Sequence, residues 1–389
     1  MSVLDEIQFY VFNHHHYAHL PPRIDDYASS WVDLPNGEFD PELGHELYLR
    51  YTRELKLVEE LGFDAIAINE HHNTAYSMQP SPTVRAGHVI ATTDTIKILV
   101  AGIPLNLSMP NRVAEEYAML DVMSGGRMEF GFPLGTGMEY WSNAAQINPT
   151  VARQRFREAL EVLLQAWEQP GPTSYEGEHY FYRFLNPWPR PFQRPRPPIY
   201  IVGSGSPETV DLAVRFGAGY SVVFSPIASQ LKAFDSLREK CAAVGRTLRP
   251  EELLITVIAY VADTDEQALR EGRPYIERFF SWYHRVPPRY LSPPGYVSRE
   301  NFLRLASSAA LAQAKRSTWE DMVSIGRIAC GSPDTVAETI AGWAVEAQTS
   351  RVIVTLTIAD MPEEVAVANT TRFATEVIPR IRARAGALR

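Results

Sequence analysis

Cysteine is scarce in this sequence: the 389 residues include only Cys241 and Cys330, far apart and without a CxxC pair. This scarcity excludes a cysteine-based metal site and is typical of a reducing compartment. The sequence also lacks an unbroken apolar run long enough to cross a bilayer, and its first residues lack the basic and apolar segments of a signal peptide. We therefore expect a cytoplasmic protein that does not interact with membranes.

Positive charge is also in short supply. The chain has 37 basic and 46 acidic residues, a formal net charge of −9, and no polybasic block or aromatic-basic stripe. This balance argues against a nucleic-acid partner or a general affinity for anionic membranes. Hydrophobic residues make up 45% and charged residues 21% of the chain, as in ordinary globular proteins.

Short apolar runs alternate with amphipathic helical patterns along most of the chain. Eight strand–helix units of this kind predict an α/β fold, a single (β/α)8 TIM barrel that forms one domain over residues 1–389. A doubly wound open sheet is the alternative, and eight evenly spaced units favour closure. The predicted strands are residues 7–12, 64–68, 97–103, 127–132, 199–202, 220–224, 253–261 and 351–358.

The alternation breaks between strand 7 and helix 8, over about residues 271–325. This insertion is rich in aromatic residues and proline, as in Phe279, Phe280, Trp282 and Tyr283. Two interpretations are open: a lid over the active site, or a segment that packs outside the barrel or mediates oligomerisation. Residues 175–184 also depart from the strand–helix alternation, and their pattern predicts a small hairpin outside the repeat.

Titratable side chains follow the second predicted strand directly, in the run Glu70-His71-His72. Barrels keep their chemistry at the carboxyl ends of the strands, so these residues are candidates for the active site. Three further histidines, His14 to His16, follow strand 1, with His19 close behind them, and together they raise the alternative of a metal-dependent hydrolase. That alternative is weak, because the later strands offer only Asp360 as a further ligand.

A glycine-rich turn follows the fifth strand, in the run Gly203-Ser204-Gly205-Ser206. Glycine lets the backbone approach a ligand closely, and Ser206-Pro207 is a good helix start. Free amides at a helix N-terminus attract anions, so the turn is a candidate phosphate site. A near-copy, Gly331-Ser332-Pro333, also begins a helix, and the first copy is favoured because two glycines precede its helix.

Taken together, these motifs resemble the bacterial-luciferase-like flavin monooxygenase family, which also includes deazaflavin (F420)-dependent oxidoreductases. The resemblance covers nearly the whole chain but is much less specific about the substrate. The motifs that carry it are Glu70-His71-His72, Ala101-Gly102-Ile103-Pro104, Asn111-Arg112-Val113-Ala114-Glu115, the run from Leu120 to Arg127 that contains Ser124-Gly125-Gly126-Arg127, Gly203 to Ser206, and the Gly331-Ser332-Pro333 helix start.

The resemblance implies a flavin-dependent monooxygenase that uses reduced FMN and O2, through a C4a-hydroperoxyflavin, to oxygenate a small organic substrate. A separate flavin reductase would supply the reduced FMN, and the family commonly forms dimers. The resemblance also implies residue roles. His71 matches the family's catalytic histidine, with Glu70 beside it, and Ala101-Gly102 matches a step against the flavin ring that often contains a cis peptide. The remaining cofactor-binding candidates are Leu134, Gly135, Thr136 and Tyr140 after strand 4, and Gly203, Ser204, Gly205 and Ser206 at the phosphate.

One departure from the family pattern limits these implications. The luciferases proper carry a cysteine after strand 4, where this chain has Pro133, so light emission is not implied. Within the family, the alternative is an F420-dependent dehydrogenase that transfers hydride. Outside it, the alternatives are the metal-dependent hydrolase and a flavin-binding barrel without turnover.

Overall fold

Eight parallel strands close into a barrel in the computed structural model, which describes residues 3–135, 137–142, 148–223, 225–291, 295, 318–324 and 328–387. The strands in chain order are β1 Gln8–Phe12, β2 Ala65–Ile68, β3 Lys97–Ala101, β4 Met128–Pro133, β5 Thr173–Glu176, β6 Phe181–Leu185, β7 Ile199–Gly203, β8 Gly219–Val222, β9 Leu253–Val261, β10 Ile328–Gly331 and β11 Arg351–Thr355.

The barrel runs β1-β2-β3-β4-β7-β8-β9-β11, and β11 pairs with β1 to close it. Strand β9 pairs with β8 on one edge and with β11 on the other. Every neighbouring pair in the barrel is parallel, as expected when helices make the crossovers. The predicted (β/α)8 barrel is therefore confirmed, and the open sheet is excluded.

Helices cover the outside of the barrel. Those in the described parts of the chain are α1 Pro41–Glu60, α2 Pro82–Thr92, α3 Pro110–Met123, α4 Gly137–Ser142, α5 Ala152–Glu168, α6 Pro207–Arg215, α7 Ile227–Ala243, α8 Asp265–Arg278, α9 Pro288–Leu291, α10 Trp319–Ser324, α11 Pro333–Ala347, α12 Glu363–Arg372 and α13 Ile378–Ala387. None of them is long and apolar enough to span a bilayer.

The same short signal begins three of these helices. Ser81, Ser206 and Ser332 each precede a proline, and each side chain accepts a hydrogen bond from a backbone N–H of the first turn. A serine cap satisfies a donor that the helix leaves without a partner, and proline has no N–H to lose at the next position. Local sequence therefore sets where these crossover helices start.

The strands are buried on both faces because helices pack outside and side chains fill the interior. Outward residues such as Phe9, Ile66 and Val100 join the helix-facing core, whereas Tyr10 and Leu99 belong to the inner cluster. Near the amino ends of the strands, Glu129 accepts hydrogen bonds from Tyr10 and Tyr200 and pairs with Arg351 at 3.0 Å. The network satisfies a carboxylate that burial would otherwise make costly.

Strand β10 was not predicted. Strand β9 is nine residues long, and one of its edges pairs with β8 at Leu253 and with β10 from Ile258 onward. Its length therefore lets two short strands share one edge. The antiparallel hairpin of β5 and β6 confirms the prediction for residues 175–184.

The insertion begins later than predicted. Helix α8 extends to Arg278, so the break in the alternation starts at a π-helical turn, Phe279–Tyr283, and not at residue 271. The four-residue helix α9 follows the turn. Residues 292–294, 296–317 and 325–327 lie outside the described part of the chain.

Candidate functional site

His71 lies just beyond the carboxyl end of β2, where it lines a cavity of about 480 Å³. Its Nδ1–H donates to Oε1 of Glu139 at 3.1 Å, and Glu139 is a buried residue of α4. A carboxylate that accepts from Nδ1 holds the neutral imidazole in one tautomer and leaves Nε2 as the nitrogen that can exchange a proton. The arrangement suits an oriented acid–base group.

Glu70 does not support His71. Its Oε1 accepts from Nε2 of His72 at 2.9 Å, and both residues line a second cleft between Pro80 and α3. Burial raises the pKa of Glu70, and the hydrogen bond from His72 opposes that rise. The two histidines of the run therefore pair with different carboxylates, His72 with Glu70 and His71 with Glu139, and they line different clefts. The catalytic role expected for Glu70 stays a prediction.

The three N-terminal histidines are buried, and aromatic rings surround them. His14 stacks on His16 with ring centroids 5.0 Å apart, and His16 packs against Tyr283 at 4.4 Å. Burial lowers the pKa of all three, that of His16 to about 3, so they are neutral parts of the core near pH 7.

These histidines also do not converge with other metal-binding groups. Within the described residues, the one group of three donors close enough to share an ion is Glu158, Glu178 and His179, on α5 and the β5–β6 turn. Asp360, the late candidate ligand, pairs instead with Arg278 at 2.6 Å. The donor set for a metal-dependent hydrolase at the barrel mouth is therefore not assembled.

The cofactor candidates follow strands that are neighbours in the barrel. Ala101 at the end of β3 pairs with Gly131 of β4, and Pro133 at the end of β4 pairs with Val202 of β7. His71 follows β2, which pairs with β3. The predicted site residues thus occupy one arc of the rim, over strands β2, β3, β4 and β7, although they come from sequence positions 70 to 206.

Gly102 is in a place that no side chain can occupy. A Cβ there would lie 2.1 Å from the carbonyl oxygen of Gly131 and 2.5 Å from that of Val100. The glycine is therefore required by the close approach of the backbones of β3 and β4 at this point. The cis peptides of the described residues all precede proline, at Pro172, Pro189 and Pro195, so the Ala101–Gly102 bond is trans, contrary to the expectation from the resemblance.

We expect Gly102→Ala to destabilise the protein by about 3 kcal/mol, because its Cβ overlaps two backbone oxygens that cannot move without shifting a strand. Urea unfolding followed by circular dichroism measures the change. The matched control is Gly87→Ala on α2, where nothing lies within 4 Å of a Cβ. That variant should gain about 0.5–1 kcal/mol of helix stability. Equal stability of the two variants would mean that a Cβ at position 102 does not overlap the backbone as described.

The residues after β4 fold back onto the loop after β3. The hydroxyl of Tyr140 contacts the side-chain amide of Asn106 and lies 3.4 Å from the carbonyl oxygen of Leu134. Gly135 has a φ of +89°, and a Cβ there would lie 3.3 Å from Pro104. Leu134, Gly135 and Tyr140 therefore form one packed unit, while Thr136 lies outside the described residues.

The two Ser-Pro helix starts differ in accessibility. At α11, Oδ1 of Asp265 accepts from the N–H of Ser332 at 2.6 Å and Oδ2 accepts from the Thr335 hydroxyl at 3.0 Å. These bonds lower the pKa of Asp265, as expected for a carboxylate at a helix N-terminus. An anion from the protein itself therefore already occupies this helix start.

At α6 no such carboxylate accepts from the start of the helix within the described residues. Ser206 caps Thr209, and the N–H of Gly205, which has a φ of +84°, donates to the Tyr220 hydroxyl at 3.1 Å. Ser204 is exposed at the rim. Of the two Ser-Pro helix starts, the one at α6 is therefore not occupied by a carboxylate from the described residues.

Aromatic side chains cover the histidine side of the rim. Trp31 stacks on Tyr76 with centroids 4.0 Å apart, and its ring meets His71 edge-on at 4.9 Å. The insertion holds this segment in place, because Ser30 donates to the carbonyl oxygen of Trp282. The described start of the insertion thus contacts the loop that carries Trp31 and also packs against residues of α8.

Sequence reasoning missed Glu139 and Trp31. Glu139 lies 68 residues after His71 on a helix of six residues, and Trp31 lies in a long loop without periodicity. A glutamate next to the predicted contact Tyr140 was the one available signal for Glu139.

The fold and this rim define an α/β barrel with a histidine–carboxylate pair after β2 and an exposed, glycine-rich helix start after β7. Residues 35–350 match the family of luciferase-like monooxygenases. The chain therefore belongs to the luciferase-like monooxygenase family.

Known relatives agree with this assignment. The chain is 25% identical over 250 residues to the oxygenase component of a flavin-dependent trigonelline monooxygenase from Acinetobacter baylyi, covering 63% of this chain and 68% of that one. In three curated relatives that it matches, the chain spans 61%, 68% and 59% of their length.

Two solved structures share the fold over nearly their whole length. The oxygenating constituent of 3,6-diketocamphane monooxygenase from Pseudomonas putida, solved with FMN, superposes with a TM-score of 0.69, 17% identity and coverage of 98% of this chain and 99% of that one. An F420-dependent secondary alcohol dehydrogenase superposes with a TM-score of 0.65 and 17% identity, and the match covers 97% of this chain and 99% of that one. At this identity the likeness concerns the fold alone.

Proposed function

We propose that the protein is the oxygenase of a two-component flavin-dependent monooxygenase, which takes reduced FMN from a separate reductase and oxygenates a small organic substrate with O2. The observation that carries the proposal is the arc of the rim over β2, β3, β4 and β7. It combines an oriented His71, the strand-end backbone at Ala101 and Gly102, and an open helix start at Ser206. Family membership and the oxygenase-component relative support the same assignment.

The residues present suit FMN. The accessible turn at α6 offers glycine backbone and a helix N-terminus to the phosphate, with Ser204 exposed beside it. We expect the ring to lie against the strand-end backbone at Ala101 and Gly102, and Leu134 and Tyr140 lie in the loop after the neighbouring strand, β4. Bound reduced FMN would supply the electrons that activate O2.

The chain's own contribution is proton transfer and exclusion of water. His71 holds or moves a proton at Nε2 while Glu139 fixes the ring through Nδ1. Trp31 and Tyr76 pack against that ring and remove it partly from solvent, since 18% of the His71 side chain is exposed. The cavity beside His71 has mainly apolar and hydroxyl-bearing walls, including Tyr17, Leu34 and Met78, which fits an organic substrate of modest size.

The test is a cofactor titration of the purified protein with reduced FMN, oxidised FMN and F420, read by fluorescence quenching. We expect tight binding of reduced FMN, and oxygen uptake that rises when a reductase, NADH and members of a panel of small organic substrates are added. Binding of F420 with alcohol-dependent reduction of it, and no use of reduced FMN, would overturn the proposal in favour of hydride transfer.

A further inference from the structure

One arginine on the outer layer of the barrel is buried without a counter-ion. Arg85 lies on α2 and is 7% exposed. Its Nη1 donates to the Thr52 hydroxyl of α1 at 3.1 Å. Its Nε and Nη2 are buried and have no acceptor within the part of the chain that the structure describes. At least two N–H groups of a cation are therefore left without a partner.

The other two buried arginines behave differently. Arg50 pairs with Glu54 at 2.7 Å, and Arg351 pairs with Glu129 at 3.0 Å. Burial lowers the pKa of Arg85 to about 10, so the side chain still carries its charge at neutral pH. Burying a charge without a partner costs several kcal/mol, and a protein keeps such a residue most readily where a ligand supplies the missing anion.

A cavity of about 350 Å³ lies in the groove between α1 and α2, and Arg85 is one of its lining residues. Its polar lining residues are Tyr48, Thr52, Gln79, Ser81, Arg85 and His88. No carboxylate lines the cavity within the described residues, although the chain has 46 acidic residues. The first turn of α2 also begins here, and its partial positive charge adds to that of Arg85.

We propose that this α1–α2 groove is an oxyanion-binding site, in which Arg85 takes a carboxylate or a phosphate. The planar guanidinium fork matches both groups, and Thr52, His88 and Tyr48 line the same cavity. The oxyanion comes either from a free small molecule or from an acidic side chain of a second copy of this chain. The groove is separate from the turn before α6, so a result for or against this proposal does not decide the proposed function.

The experiment measures thermal unfolding of the full chain in inorganic phosphate against chloride at equal ionic strength. At a phosphate concentration ten times the dissociation constant, we expect a rise in Tm of about 2 °C that depends on Arg85. Arg85→Met removes the charge but keeps an unbranched side chain. The matched control is Arg53→Met on α1, which removes an exposed guanidinium already paired with Glu363.

Phosphate bound at the α6 turn raises Tm equally in all variants, so only the difference between Arg85→Met and the other proteins reports on the groove. A second arm, sedimentation velocity over a range of protein concentrations, separates the two sources of the oxyanion. If a second copy supplies it, the wild type self-associates and Arg85→Met weakens that association at least tenfold.

A phosphate response or a self-association that is lost in Arg85→Met and kept in Arg53→Met supports the site. If the phosphate-dependent rise in Tm and the self-association are the same in Arg85→Met as in the wild type, the proposal is wrong. Should Arg85→Met fail to fold, Arg85→Lys keeps the charge without the planar fork, and we expect it to lose at least half of the Arg85-dependent effect. A full effect in the lysine variant would likewise contradict the assignment.

Discussion

Replacing His71 with asparagine is expected to lower substrate-dependent oxygen uptake by about 10²- to 10⁴-fold, the usual contribution of a positioned acid–base group. Asparagine keeps a polar group near Glu139 but cannot exchange a proton at the position of Nε2. The measurement is kcat under saturating reduced FMN and O2, with the flavin affinity determined separately. A loss in kcat at unchanged flavin affinity identifies proton transfer and not cofactor binding as the lost function.

The chain supplies matched controls for this prediction. His72→Asn changes the neighbouring histidine, which is also bonded to a buried glutamate but faces the other cleft, and should keep activity within about twofold. Glu139→Gln should lower kcat because the ring loses its charged acceptor, whereas Glu70→Gln should not. Equal losses from the two histidine variants, or a larger loss from Glu70→Gln, would refute the role given to His71 and Glu139.

Ser204→Asp is expected to weaken the binding of FMN about tenfold. The substitution places a carboxylate at the exposed turn before α6, and repulsion between two charges about 6 Å apart near a protein surface amounts to about 1–2 kcal/mol. Riboflavin has no phosphate, so its affinity should not change. Fluorescence titration with both flavins gives the ratio of affinities that tests the prediction.

The control for this second prediction is Ser204→Asn, which has nearly the same shape as aspartate and no charge. It should bind both flavins as the wild type does. A tenfold loss of riboflavin affinity in Ser204→Asp would mean that the turn had been distorted. If both flavins bind Ser204→Asp as tightly as they bind the wild type, the phosphate of FMN lies elsewhere on the rim.

Much of the fold was readable from local patterns. Alternating apolar runs such as 64–68 and helix starts such as Ser206-Pro207 depend on neighbours in sequence, and both were found where predicted. Closure of the barrel followed from counting eight units. Strand β10 was not predicted because it is defined by its pairing with the long strand β9, a contact between residues about 70 positions apart.

The site was predictable in its parts and not in its connections. His71 and the turn at Gly203 to Ser206 stand out by residue type beside a predicted strand end. The partner of His71 was not predicted, because Glu139 comes from a different strand-end loop, 68 residues away in sequence. Similarly, Ser206 and Ser332 look alike in sequence, and only the position of Asp265 distinguishes the open helix start from the filled one.

The sequence by itself determined the barrel, the strand ends that carry polar chemistry and the family resemblance, because hydrophobic periodicity and capping act over a few residues. Tertiary structure alone decided which carboxylate orients His71, that His14 to His16 are neutral core residues, and that Arg85 is buried without a counter-ion. Each of these outcomes depends on burial and on contacts between distant segments, and both arise only when the barrel closes.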